Sequence, residues 1–343
     1  MAGSSRSSKT PAQSVNWREL DRKLVEYLLW YGALTIPQMR FLLNQDGLPR
    51  EIKTLYNRLS FLRQQGLVES FLFYRDTGAA LSAIYSLPYG GKTHAKVHVE
   101  KLLGESISPG VWRKATRISR TAKTGASMPR IQTAYHHEIT IKNFLLCVAT
   151  SKHGVLEGWN DDLRMEYTYT ARKTHKRQKS VLAPDLFFSW RAHAFPEQAF
   201  HYFLEVQLSR KPQTQIQDRV NRYMRLLLSG HIQKALGLPY FPTLLFLLPK
   251  KEDQTELNRY ATIIRKTLMT EEPDLKKWQE VFRCGISYSD YFMGNDQDVD
   301  PTDAVWYDFS KISGGDVHTL ASLAPNSVRS KLVELKIKGG IQG

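Results

Sequence analysis

Two acidic residues carry the sharpest chemical suggestion in the chain. Asp185 sits in the run Ala183-Pro184-Asp185, and Glu205 follows twenty residues later in Glu205-Val206-Gln207, at the end of an apolar stretch. Carboxylates delivered by neighbouring strands form the minimal cage for a hard divalent cation, because Mg2+ or Mn2+ takes carboxylate and carbonyl oxygens in a near-octahedral arrangement. The pattern reads as a metal-dependent nuclease site, in which the ion polarises a scissile phosphate, helps deprotonate a water and stabilises the leaving oxygen. Each acid also has a plainer role open to it. Asp185 can cap the turn after Pro184, and Glu205 can pair with Arg219 or Arg210.

The elements that must position these residues follow from periodicity. A helix is expected from about Ile131 to Thr150, with Ile139, Phe144, Leu145 and Val148 inward and His136, His137 and Glu138 near its start. Strand patterns follow at 163–170, 182–190 and 200–207, then a helix from Pro212 to about Ser229 and a near-continuous apolar strand at 243–248. Asp185 and Glu205 thus fall on the second and third strands of a helix, three-strand, helix, strand order. A further helix at 252–270 and a strand at 281–288 extend the sheet. The acidic segment 296–308 lacks the ligand pattern of a calcium loop.

The N-terminal part has a different character. Residues 17–31 place Leu20, Leu24, Tyr27, Leu28 and Tyr31 on one helical stripe closed by Gly32. A short helix over 36–43 follows, with Thr35 as N-cap, and then a third helix over 50–65 with Ile52, Leu55, Tyr56, Leu59 and Leu62 inward. Strands near 67–74 and 82–87 form a hairpin. Three helices and a two-stranded wing read as a winged helix-turn-helix, whose third helix enters the major groove. Its outer face would carry Lys53, Thr54, Asn57, Arg58 and Gln64, and Arg75 would sit at the wing tip. Winged helices also serve as protein-docking modules, so both uses stay open.

Charge favours a polyanion. Of the net +15, residues 1–130 hold 20 Lys+Arg against 9 Asp+Glu, a net +11, and the remainder holds 28 against 24, a net +4. Duplex DNA is the expected partner, bound with salt-sensitive affinity through counterion release. The stretch 89–130 reads as a basic linker, helical in part around Val97 to Leu103 and Val111 to Arg117, with Arg113, Lys114 and Arg117 able to follow a phosphate backbone or simply to be solvated. The run Arg172, Lys173, His175, Lys176, Arg177, Lys179, read as a loop before the second strand, is either a phosphate clamp near the metal or a disordered, solvated loop.

The apolar fraction of 42% supports ordinary cores, and no apolar run is long enough to span a membrane. Two cysteines, Cys147 and Cys284, read as buried thiols of a reducing compartment. A cytoplasmic, DNA-associated bacterial protein is expected. The domains are read as a disordered tail at 1–16, a winged helix at 17–88, the linker at 89–130, a nuclease-like domain at 131–290 and a C-terminal extension at 291–343. The fold class is α+β, with an αβββαβ core and a mixed sheet.

The order of elements and the pair Pro184-Asp185 and Glu205-x-Gln207 resemble the PD-(D/E)xK nucleases, with Gln207 where that signature has lysine. Together with Tyr85-Ser86-Leu87-x-x-Gly90, His137-Glu138-Ile139-Thr140-Ile141 and Arg219-x-x-x-Tyr223, the chain resembles the replication-relaxation family over roughly residues 17–290. That resemblance implies a plasmid or mobile-element protein, including relaxases of the MobC type that nick an origin of transfer. It implies Asp185 and Glu205 as metal ligands and Glu138 or His137 as a base or water-orienting group. Lys211 or Arg219 would replace the missing lysine charge, while Gln207 can position water but supplies no cation. Tyr223 is a core aromatic or a nucleophile. Two functions follow: a metal-dependent site-specific nickase, or a catalytically inactive nuclease-fold protein that binds DNA in replication, transfer or transcription control. A structural subunit working with accessory proteins is the third.

Overall fold

Helix α1 (Glu19–Tyr31) begins where Arg18 donates its backbone N–H to Asp21 Oδ2 at 2.9 Å, and stops at Gly32, whose φ of 82° only glycine adopts without strain. The computed structural model describes residues 17–74, 80–89, 92–123, 128–170, 176–238, 240–249, 254–271, 282–289, 306–308 and 317–318. Arg75, Arg172 and Lys173, the tail 1–16 and most of 291–343 lie outside the described residues. The chain divides into two units, Met1–Ala126 and Ser127–Gly343, and is a mixed α+β protein.

In the first unit, strand β1 (Ala33–Thr35) leads into α2 (Ile36–Gln45), whose cap is reciprocal: Thr35 N–H donates to Gln38 Oε1 at 2.8 Å, and Thr35 Oγ1 accepts from the Gln38 N–H. Helix α3 (Ile52–Gln64) follows, then the antiparallel strands β2 (Glu69–Tyr74) and β3 (Ala80–Ser86). Strand β1 pairs with β3, giving a three-stranded sheet in the order β1-β3-β2.

The packing of α3 departs from expectation. The buried stripe of α3 is only Leu55, Leu59 and Leu62, while Ile52 and Tyr56 are exposed at 42% and 49%. A helix resting on one layer needs only that narrow seam. The stretch read as a linker is mostly helical, forming α4 (Lys92–Leu103), α5 (Pro109–Ala115) and α6 (Arg117–Lys123), with Val99, Ala115 and Ile118 buried. Ser119 donates to Glu69, and Lys123 pairs with the same carboxylate.

In the second unit, α7 (Met128–Ala149) precedes β4 (Gly154–Asn160), β5 (Met165–Thr170), β6 (Arg177–Leu182), β7 (Leu186–Ala192) and β8 (Ala199–Val206). Then come α8 (Gln213–Ser229), α9 (His231–Leu236), β9 (Thr243–Leu248), α10 (Gln254–Glu271), β10 (Cys284–Tyr288), β11 (Trp306–Asp308) and β12 (Val317–His318). The main sheet has the order β12-β11-β10-β9-β8-β7-β4, while β5 and β6 pair only with each other. Strand β8 runs antiparallel to β7 and parallel to β9.

The first core strand is therefore β4, not 163–170, and the stretch 182–190 is split between two sheets at Ala183-Pro184-Asp185. Pro184 supplies no N–H for a ladder, so pairing breaks there. Strand β4 must begin with glycine, since a Cβ on Gly154 would lie 2.3 Å from the Arg191 carbonyl and 2.5 Å from the Trp190 ring. One face of the sheet packs Phe188 against Phe144 of α7 and Tyr202, and the other packs Phe203 against Tyr223 of α8. Strand β9 is buried throughout.

Arg58 was expected on the outer face of α3, but its guanidinium turns back to the fully buried Asp21 of α1. Its Nε donates to Oδ1 at 2.7 Å and a second nitrogen pairs with Oδ2, while the guanidinium carbon lies 4.5 Å from the centre of the Phe61 ring. Arg58→Ala is expected to lower stability by about 3 to 5 kcal/mol, because it strands a buried carboxylate. Denaturant unfolding of the full chain measures this, and a near-neutral result would show the pair to be dispensable.

Candidate functional site

Asp185 immediately precedes β7, and Glu205 is the penultimate residue of β8, so the antiparallel register Leu186↔Leu204 brings the two acids to the same end of the sheet. Asp185 is pinned by the backbone: its N–H donates to the Leu204 carbonyl at 3.1 Å, and its Oδ2 accepts from the Val206 N–H at 2.7 Å. His137 of α7 brings Nε2 to 3.1 Å from the same oxygen, an ion pair whenever the imidazole is protonated. Glu205 is fully buried. Tyr223 of α8 donates its hydroxyl proton to Oε1, and Arg219, one turn earlier on α8, places Nε 2.9 Å from Oε2. Arg219 also reaches the Ala183 carbonyl at 3.4 Å.

Beside this cluster lies a cavity of about 310 Å³, lined by His137, Asp185, Gln207, Ser209, Lys211, Gln215 and Arg219, with Ile216, Phe246 and Tyr260 also contributing. Gln207 is fixed through its backbone N–H, which donates to the Leu247 carbonyl at 2.8 Å. The fold therefore brings together Asp185, Glu205, His137, Gln207, Lys211 and Arg219. It does not bring in Glu138. That carboxylate is buried elsewhere on α7, 3.3 Å from Lys142, which also pairs with Asp161 and lies 4.8 Å from the Trp159 ring centre. The sequence signal for this network was present but unread: Lys142 follows Glu138 by four residues on a helix.

The two acids titrate in opposite directions. Burial acts to raise Asp185, but the His137 hydrogen bond and charge, the Val206 N–H and the Arg219 charge outweigh it and hold the carboxyl below its ordinary value. Burial and the nearby Asp185 charge push Glu205 up to about 8, against the opposing pull of Arg219 and Tyr223. Tyr223 is driven well above the usual phenol range, chiefly by burial and by Glu205. It is a buried proton donor to the acid, which agrees with the core-aromatic alternative and leaves its oxygen unsuited to attack.

Whether a divalent ion fits turns on the donor set. Mg2+ requires about six oxygen ligands. Here Asp185 Oδ2 already takes an imidazole and an N–H, and a guanidinium lies against Glu205 where a cation's charge would act. Among the described residues no group of three or more His, Cys, Asp or Glu is gathered as for a metal. The arrangement present does not fit such an ion, because protein cations already compensate both acids.

The basic residues expected to meet DNA are distributed in both units. In the first, Lys53 and Asn57 are exposed on α3, Thr54 is half-buried, Arg113 of α5 is exposed, and Lys114 and Arg117 are partly covered. Tyr56 and Arg63 share the outer face of α3, and Arg63 donates to Ser70 at 3.0 Å. Sequence reading missed both, having assigned Tyr56 to the core. In the second unit Lys176 and Arg177 are exposed at the start of β6. No helix among the described residues is long and apolar enough to cross a membrane.

The family model described as Replication-relaxation matches residues 30–239. No curated protein and no solved structure matches the chain.

The Glu205 shift has a defined pH consequence. A carboxyl raised on folding stabilises the native state fully below its unfolded value of 4.5, and that contribution is lost as pH rises towards about 8. Glu205→Gln, which keeps a neutral side chain in the same place, should flatten the fall in melting temperature across that window. A thermal-unfolding series from about pH 5 to 9 measures it, and parallel curves for parent and variant would contradict the assignment.

Proposed function

The chain belongs to the replication-relaxation family, and from that premise we propose that it binds duplex DNA in plasmid replication or DNA relaxation, its second unit being a nuclease-like fold that does not cut. The observation that carries the DNA reading is the outer face of α3, where Lys53, Tyr56, Asn57 and Arg63 are exposed opposite a seam of only three leucines. Cation, amide and aromatic groups on one helix face match phosphate and base-edge contacts in a major groove. The three helices, with β1 between the first two and the β2–β3 hairpin after the third, support a winged helix with the hairpin as its wing.

The strand order β4-β7-β8-β9 in the second unit, with α7 and α8, supports the αβββαβ core of the nuclease reading. Its acid pair is internally neutralised. Arg219 balances Glu205, His137 engages Asp185, and Gln207 supplies no cation at the lysine position. This supports a domain that retains the architecture for binding or assembly, without hydrolysis. The alternative, a Mg2+- or Mn2+-dependent nickase, requires both partners to leave their acids first. It finds support in the cavity that Asp185 faces.

Two measurements test the reading. Lys53→Ala should weaken binding to all duplexes alike and lower the salt slope by about 1, while Asn57→Ala should relax sequence preference by about 1 to 3 kcal/mol. Anisotropy titrations in rising salt resolve the two, and parent-like binding by both variants would remove α3 as the reader. Incubated with supercoiled plasmid and Mg2+ or Mn2+, the parent should leave the DNA intact. Nicking that Asp185→Ala abolishes would establish the nickase instead.

A further inference from the structure

The β5–β6 pair is set apart from the main sheet, and its two faces differ sharply. On the inner face, Met165, Tyr167 and Leu182 are buried against the second unit's core. Tyr167 donates its hydroxyl proton to the Arg222 carbonyl of α8 at 2.8 Å, and the Arg225 guanidinium lies 4.8 Å from the Tyr169 ring centre. The ribbon is thus fastened along its back to α8.

Among the described residues its outer face has no such cover. Strand alternation puts Glu166, Thr168 and Thr170 of β5 on that side, and the register pairs Thr168 with Lys179 and Thr170 with Arg177. All four of these paired residues are exposed. Directly opposed residues share a face with Cβ atoms about 5 Å apart. Each pair therefore presents one cation and one hydroxyl, and the two pairs stand about 7 Å apart along the ribbon. Among the described residues neither Arg177 nor Lys179 has an acidic partner, and Glu166, the acid on this face, lies 3.7 Å from Arg164. Lys176 adds a further exposed cation beside them. Uncompensated cations held on a two-stranded ribbon are costly to gather unless an anion meets them, and a ribbon of this width fits the major groove of a duplex.

We propose that the outer face of the β5–β6 ribbon is a second duplex-DNA contact, gripping backbone phosphates through Arg177, Lys179, Thr168 and Thr170 independently of α3. This rests on the reading of the protein as a DNA binder. The ribbon's last residue, Leu182, is followed directly by Ala183-Pro184-Asp185, and the proposed contact asks no chemistry of the acid cluster.

The test uses the full chain and a fluorescent mixed-sequence duplex of about 30 base pairs, titrated by anisotropy at several salt concentrations. Arg177→Ala/Lys179→Ala should reduce the slope of log affinity against log salt by about 2, with sequence preference unchanged. Lys234→Ala, an exposed cation on α9 away from the ribbon, should leave the slope at the parent value. Combining the ribbon pair with Lys53→Ala should add the two losses. A ribbon variant with the parent slope overturns this inference alone, as does an equal loss from Lys234→Ala, which would mark a mere effect of total charge. A parent that fails to bind the duplex overturns the DNA reading and this inference together.

Discussion

Two carboxylates forced to one sheet end constrain everything around them. The β7–β8 register leaves Asp185 and Glu205 no freedom to separate, since the backbone of each strand is tied to the other at Leu204 and Val206. Removing two carboxyl groups from water in this space is costly: Asp185 is held charged by its partners, while burial and the Asp185 charge favour the protonated form of Glu205. Helices from opposite faces of the sheet supply the compensation. His137 comes from α7, and Arg219 and Tyr223 come one turn apart from α8. The docking of both helices is therefore coupled electrostatically to the strand pairing between them.

The same compensation shapes what the site can do. The two acids stand at one end of a mixed sheet, and the electrostatic demand of the pair is met from within the chain. An arginine in this role differs from a bound ion: it cannot polarise a phosphate and activate water together, and it is tethered to one helix. The cavity beside it keeps a polar wall of Gln207, Ser209, Lys211 and Gln215, suited to holding an anion. A buried pair of the same logic orders the first unit, where Arg58 is spent on Asp21 and is thereby withdrawn from the exposed face of α3.

Much of the fold was legible in the chain, for identifiable reasons. The amphipathic stripe of α1, the Thr35 cap of α2, the Pro212 start of α8 and the apolar run of β9 are local signals, and each marks its element. Strand β4 escaped because Gly154 to Asn160 is largely exposed and shows no clean alternation. The stretch 163–170 reads as a strand of the main sheet because periodicity reports a strand without naming its partner, and β6 reads as a loop because its basic residues mask the strand. Ile52 and Tyr56 were assigned inward because helical spacing cannot tell how wide a seam the neighbouring layer will cover.

For the candidate site the division is similar. The sequence by itself determined the family, the helix, strand and acid order, the imbalance of charge towards the N-terminal part, and the identity of Asp185 and Glu205 as neighbours. Only the tertiary structure decided how those residues are used. It turned Arg58 inward, sent Glu138 to Lys142, set Arg219 against Glu205, and left Arg177 and Lys179 uncovered on a ribbon of their own. The physical reason is that a charged side chain takes its role from its partner and its burial. Both are fixed by packing between segments far apart in the chain, whereas element type is fixed mainly by residues within a turn or two.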